Sequence, residues 1–250
     1  MIELLAAAFA TPGIGWLYLG VVLAGLVRGF AGFGTGMVYL PIAAQVLPPV
    51  WTLVTLIVID IFGPLPAVPR ALRDGHPRDV LRLSAGALVS IPLGVWLLTS
   101  LPAEPFRIVI SGLALVLLVL LVSGLRYHGP VPRPAIYGIG AVSGALAGAF
   151  GLGGPPVILL YMARPLPAAV IRASTLLFLL ATDAMLLGVF GLSGLLEPEP
   201  LVLGLALMPV YLGAVMAGSA IFDPARDRVY RWTAYAIIAA SAIGGLPLFD

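Results

Sequence analysis

Long apolar stretches, interrupted by glycine and proline rather than by charge, run from Ile14 nearly to the C-terminus and decide what this chain can fold into. Apolar residues fill 61% of the 250 positions and charged residues only 10%, with a mean hydropathy of +1.12. A water-soluble domain is nearer half apolar and a quarter charged, because its surface must be solvated. The missing polar surface predicts that lipid covers the outside. A helical crossing needs about 20 apolar residues, which leaves room for roughly eight to ten spans and no soluble domain. The expected class is all-α, a polytopic integral membrane protein. Its segments read as 14–30, 35–48, 51–69, 83–100 and 106–125, then 135–150, 154–163, 173–192, 201–221 and 232–248. The start, Met1-Ile2-Glu3-Leu4, lacks the basic region of a secretory signal, so Ile14 onward reads as a retained membrane segment.

Several function classes fall away at once. With no cysteine, there are no disulfides, thiolate metal sites or cysteine relays. All thirteen basic residues are arginine and the net charge is +2, without the basic run that nucleic acid requires. His76 and His128 have no serine or carboxylate at catalytic spacing. An enzyme, a metal site and a cofactor are therefore not expected. The expected partners are the bilayer and a small solute; a homodimer stays open as an assembly.

The two halves look alike. Gly25, Gly29, Gly32 and Gly34 recur as Gly144, Gly148, Gly151 and Gly153, a constant offset of 119, with Gly36 echoed by Gly154 displaced by one. Thr52 and Asp60 recur as Thr175 and Asp183 at an offset of 123, the extra residues falling near Arg164–Pro167. This pattern predicts an internal duplication, with one membrane repeat over 1–125, a cytoplasmic connection over 126–134 and a second repeat over 135–250. The short segments 35–48 and 154–163 cannot cross a bilayer as straight helices. They read as half-helices of Gly-rich hairpins, crossing fully or re-entrant.

Arginine placement sets orientation. If each hairpin counts as two half-passes, Arg70, Arg73, Arg78, Arg82, Arg126, Arg133, Arg164, Arg172, Arg226, Arg228 and Arg231 all fall on the cytoplasmic side. Arg107, Glu104, Glu197 and Glu199 then lie opposite. Both termini are outside on this count, and each half has an odd number of segments, so the repeats are inverted. Inverted repeats with broken helices are the build of secondary transporters, whose substrate sites lie near the midplane where the repeats meet.

The candidate chemistry sits at the breaks. The first runs from Arg28 through Gly32-Phe33-Gly34-Thr35-Gly36 to Pro41; the second runs Gly151-Leu152-Gly153-Gly154-Pro155-Pro156. Backbone unwinds within a membrane only where protein or water satisfies it. Pro155 and Pro156 suit the first turn of a half-helix, whose free N–H groups attract anions. Alternatively the glycines only permit close packing, which is the reading for Gly25-x-x-x-Gly29 and Gly144-x-x-x-Gly148. Asp60 and Asp183 each lie deep in an apolar segment, where an ionisable group is costly and marks function. Each is a candidate for proton or substrate coupling; the alternative is a neutral hydrogen-bonded carboxyl or an N-cap. Arg28 is the one arginine inside an apolar segment, able to hold an oxyanion bidentately or to serve as an inside-positive charge at a hairpin apex. Thr35, Thr52, Thr175 and Ser174 are candidate hydroxyl ligands, and Tyr39 and Tyr161 flank the breaks.

Gly32-Phe33-Gly34-Thr35-Gly36-Met37-Val38 with Pro41, echoed by Gly151-Leu152-Gly153-Gly154-Pro155-Pro156-Val157, resembles the duplicated glycine motif of the TauE/SafE family, also called the sulfite exporter or TSUP family. The resemblance spans nearly the whole chain, including the Arg-rich connection after the third segment. Thr35 and Met37 replace glycines more usual in the motif, which bears on substrate choice. The resemblance implies a bacterial inner-membrane exporter of small sulfur-containing anions: sulfite, sulfoacetate or related organosulfonates. The expected mechanism is alternating access with substrate at Arg28, Gly32, Phe33, Gly34, Thr35, Gly36, Thr52, Gly151, Gly153, Gly154, Pro155 and Thr175, and coupling at Asp60 and Asp183. The alternative is a passive anion channel, or a carrier for another small carboxylate or oxyanion.

Overall fold

A computed structural model describes residues 12–123, 132–162, 164, 166–223 and 226–247. Arg126, His128, the N-terminal Met1–Leu4 and most of the 126–134 connection lie outside the described residues. Among the described residues there is no strand, and the long segments are helices. In chain order they are α1 (Ile14–Ala31), α2 (Thr35–Ala43), α3 (Pro49–Ile61), α4 (Val68–Asp74), α5 (Pro77–Ser100), α6 (Ala103–Val122), α7 (Arg133–Phe150), α8 (Gly154–Met162), α9 (Ala168–Leu192), α10 (Pro198–Ile221) and α11 (Asp227–Gly245). Five of them, α1, α5, α6, α9 and α10, are long and apolar enough to cross a bilayer. Large apolar side chains point outward on these helices, with Val89 76% and Trp96 69% exposed on α5 and Met216 71% exposed on α10. Such a surface is stable only against lipid. The chain is therefore an all-α polytopic membrane protein.

The continuous segment expected over 51–69 is divided. α3 stops at Ile61, a 3₁₀ turn occupies Leu65–Ala67, and the short α4 follows. Pro64, Pro66 and Pro69 cannot donate the backbone hydrogen bonds that would carry the helix on, and Gly63 precedes them.

Both Gly-rich breaks are real ends of helices. α1 closes where Gly32 turns left-handed at φ 78° and its N–H bonds the Arg28 carbonyl at 2.9 Å. Gly34, at φ 99°, then precedes the first residue of α2. In the second break Gly151 sits at φ 64° with its N–H on the Ala147 carbonyl, and α8 starts at Gly154 with Pro155 and Pro156 in its first turn. L side chains rarely adopt these dihedrals, so the break is written into the glycines.

The helices form two compact units. The first contains α1, α2, α3, most of α6, α10 and α11; the second contains α4, α5, α7, α8 and α9. Each unit thus draws on both halves of the chain: α10 and α11 join the first, α4 and α5 the second. Within the first unit α1 crosses α10 almost backbone to backbone. A Cβ on Gly25 would come 2.6 Å from that of Ala214, and one on Gly29 would collide with the Val215 carbonyl. In the second unit α7 crosses α5 the same way: a Cβ on Gly148 would lie 2.6 Å from the Ile91 carbonyl oxygen and 3.1 Å from Gly94 Cα. The correspondence is residue by residue, since Gly148 meets Ile91 and Gly94 as Gly29 meets Val215 and Gly218, partners 124 positions apart in each case. One crossing is built twice.

These contacts leave no room for a side chain. Gly29→Val or Gly148→Val should destabilise the protein by about 1–3 kcal/mol through overpacking, seen as a lower thermal midpoint in detergent. Gly138→Ala, where nothing lies within 4 Å, should leave the midpoint in place. A Gly148→Val variant as stable as the parent would contradict the crossing.

Candidate functional site

Asp60 lies in the last turn of α3, 9% exposed. It is therefore not an N-cap. A carboxylate at a helix C-terminus meets the negative end of the dipole and gains nothing from it, so other groups must satisfy it. Two hydroxyls do. Tyr211 of α10 donates its phenolic proton to Asp60 Oδ1. Thr35, the first residue of α2, places Oγ1 3.3 Å from the same carboxylate oxygen and 2.9 Å from Tyr211 Oη. Thr35 is 2% and Tyr211 1% exposed, so water does not compete for these bonds. Three helices of the first unit, α2, α3 and α10, thus converge on one oxygen.

The break supplies the rest of the surroundings. No side chain caps α2, so its first N–H groups point toward the Gly-rich turn that ends at Gly34. Gly32, Phe33, Gly34 and Gly36 form and flank that turn, and none of the four is fully buried. Arg28, in the last turn of α1 and half-buried, is close enough for its charge to act on Tyr211. Positive charge, free backbone donors, two hydroxyls and a carboxylate therefore meet at the first break. A small oxyanion is the ligand for which a guanidinium and a helix N-terminus are suited.

The other expected residues are placed elsewhere. Thr52 is at the start of α3, about 12 Å along the helix from Asp60 at 1.5 Å per residue, and donates to the Leu47 and Pro48 carbonyls. Gly151, Gly153, Gly154, Pro155, Thr175 and Asp183 belong to the second unit. There Gly153 is pressed against Ala147 and the Ser143 carbonyl, and Gly154 and Pro155 are buried at the start of α8. Thr175 is 5% exposed and its hydroxyl has no hydrogen-bond partner. Ser174, beside it, accepts the His76 backbone N–H at 3.0 Å. Tyr161 is fully buried, with Ser174 beside its hydroxyl. Asp183 is half-buried on α9. Tyr39 donates to Thr55 at 2.9 Å and serves packing between α2 and α3.

Two groups escaped the sequence reading. Tyr211 stands 151 positions from Asp60, in a segment whose other residues are apolar or small, and only the α10 crossing brings it there. Asp79 bridges Arg82 at 3.0 Å and Arg164 at 2.7 Å, tying the connection before α9 to the start of α5. An apolar cavity of about 380 Å³ also opens between α1, α2 and α11, lined by Trp16, Leu23, Ile42 and Ile237 among others, and it contains none of the candidate residues.

Comparison with known proteins bears on these residues as a set. The sequence model of the family described as sulfite exporter TauE/SafE matches residues 17–244, which include both breaks and both aspartates. A curated protein of Cupriavidus necator described as a probable sulfite/organosulfonate exporter TauE is 24% identical over 213 residues, covering 83% of each chain. No solved structure matches.

Removing either hydroxyl leaves a buried carboxylate short of a donor. Tyr211→Phe and Thr35→Val should each destabilise by about 1–3 kcal/mol. Because the two hydroxyls also bond each other, the double variant should depart from additivity by about 0.5 kcal/mol or more. Denaturation of the detergent-solubilised variants checks both, and strict additivity would mean that the hydroxyls act separately.

Proposed function

The chain belongs to the TauE/SafE sulfite exporter family, and from that membership we propose that it is a secondary transporter exporting a small sulfur-containing anion. Sulfite, sulfoacetate and related organosulfonates are the substrate class. The description of the Cupriavidus relative supports that class, and the chemistry of the first break is compatible with it. The observation that carries the reading is the meeting of Arg28, the uncapped start of α2 and the buried Thr35–Asp60–Tyr211 cluster. The anion binds at Arg28 and the Gly32–Gly36 turn, with Thr35 as its hydroxyl ligand. Gly151, Gly153, Gly154, Pro155 and Thr175 offer a second set of groups, and the unpartnered Thr175 hydroxyl favours a ligand or water there.

Transport proceeds by alternating access, with Asp60 as the proton-coupling carboxyl. The halves 1–125 and 135–250 are an inverted duplication, and the twofold use of one helix crossing supports the duplication. The protein resides in a bacterial inner membrane, its Arg-rich connections cytoplasmic and both termini outside, on the strength of arginine placement.

Purified protein in liposomes loaded with sulfoacetate or sulfite should release the anion along an imposed gradient, with a rate that saturates. Arg28→Ala should lower substrate affinity about 10- to 100-fold, the range for a hydrogen bond to a charged group. Flux that does not saturate, accompanied by steady current, would identify a passive channel instead. Unchanged flux in Arg28→Ala would remove that residue from the site.

A further inference from the structure

The cluster at Asp60 contains two hydroxyl protons, and their directions are constrained. A hydroxyl has one proton to give and lone pairs to receive, and an ionised carboxylate only accepts. Tyr211 gives its proton to Asp60 Oδ1. The Thr35 proton goes to the same oxygen at 3.3 Å or to Tyr211 Oη at 2.9 Å. In either case both protons point inward, toward the carboxylate. Thr35, the first residue after the break, then presents only lone pairs. An anion beside it would meet an acceptor, with a negative charge behind.

Protonation of Asp60 reverses the chain. The carboxylic acid donates to Tyr211 Oη, Tyr211 turns its proton to Thr35 Oγ1, and the Thr35 proton is released toward the break. No proton passes along the chain; each O–H rotates, and the single proton gained stays on Asp60. The same event removes the nearby negative charge. Both changes favour an anion at Thr35. We propose that Thr35, Tyr211 and Asp60 form a hydrogen-bond polarity switch that makes anion binding conditional on one proton, with Tyr211 as the positioning residue between the carboxyl and the ligand hydroxyl. This rests on the transport reading above and adds the means of coupling.

The surroundings define the switch. Arg28 of α1 and Tyr211 of α10 act at this cluster, α2 brings Thr35, and α11 turns the apolar Ile238 toward Gly34. The two hydroxyls of the switch have no counterpart at the corresponding positions of the other half. At the offset of 124 for the crossing helices Tyr211 corresponds to Ala87, and at the offset of 119 for the breaks Thr35 corresponds to Gly154. Neither has a hydroxyl, so this pair of hydroxyls is peculiar to the half that contains Asp60.

Sulfoacetate, fully ionised near neutrality, is the probe for a proton count. Its binding to the full-length protein in detergent is measured by calorimetry in buffers of different ionisation enthalpy. The wild type should take up about one proton per anion, with affinity falling as pH rises. Asp60→Asn, whose carboxamide N–H donates to Tyr211 as the acid does, should bind without proton uptake and without pH dependence. Tyr211→Phe should lose the proton linkage. Thr35→Ser should keep it, and Thr35→Val should weaken binding in acidic buffer by about 10- to 100-fold. Wild-type proton uptake in Asp60→Asn, or uptake abolished by Asp183→Asn alone, would overturn the switch. If neither sulfoacetate nor sulfite binds, the transport reading fails and the switch is judged by infrared spectroscopy. Acidification should produce a carboxylic acid band absent from Asp60→Asn and displaced in Tyr211→Phe; a band that Tyr211→Phe leaves in place would refute the relay.

Discussion

Tyr211 meets Asp60 because helices without side chains at their contact can approach to backbone distance. Gly25 and Gly29 let α10 lie directly on α1, and on its other side Gly204 of α10 receives Val58 of α3, where an added Cβ would be 2.7 Å from the Val58 Cβ. Two helical turns beyond Gly204, α10 carries Tyr211 to the end of α3. At the opposite end of the pair, Trp51 Nε1 donates to Glu197 at 2.8 Å and holds the helix starts together. In lipid there is little hydrophobic drive between helices, so close packing and interhelical hydrogen bonds must set the geometry. A bulkier crossing would move the phenol away and leave a buried carboxylate underpaired, which is among the more costly defects a membrane interior can hold.

The duplicated crossing separates what architecture needs from what chemistry needs. The glycine contacts recur in both units, because backbone approach is a demand of packing alone. The polar groups hung on them differ. In the second unit Ser90, corresponding to Ala214, bonds the Ala141 carbonyl at 2.6 Å and so fastens α5 to α7. There the buried Ser143 and Thr175 hydroxyls have no hydrogen-bond partner, while in the first unit Thr35 and Tyr211 converge on a carboxylate. The two crossings thus share their glycine contacts and differ in the polar groups they carry.

Much of this was legible in the chain. The membrane class follows from composition, and the breaks follow from Gly32, Gly34 and Gly151, because left-handed dihedrals at depth leave few alternatives to glycine. Asp60 stood out because an ionisable group in an apolar run is costly. The prolines at 64, 66 and 69 carried the end of α3 in plain view, but apolar continuity masked it. Which hydroxyl matters was not legible: Thr35 and Thr52 are chemically alike, and only the fold sends one to Asp60 and the other to the Leu47 and Pro48 carbonyls. Tyr211 was hidden for a related reason. Helical periodicity reports which face is apolar within a segment, and carries no information about a partner 151 positions away. The mixing of helices from both halves of the chain within each unit is long-range in the same sense.

Charge arithmetic links the cluster to an anionic substrate. An anion hydrogen-bonded to Thr35 would sit roughly 6 Å from the Asp60 carboxylate, and two like charges at that separation repel by about 3 kcal/mol at an effective dielectric constant near 20. That is about two decades of affinity, a large share of what a small anion can gain from a few hydrogen bonds. Arg28, whose charge reaches Tyr211, would offset part of the repulsion. Neutralising Asp60 removes the repulsion at its source and, through Tyr211, turns Thr35 into a donor in the same event. A site assembled only to attract anions would have had no use for a carboxylate beside its hydroxyl ligand. Its presence, held by two donors in the last turn of a helix whose dipole opposes it, makes sense where anion binding is conditional rather than merely tight.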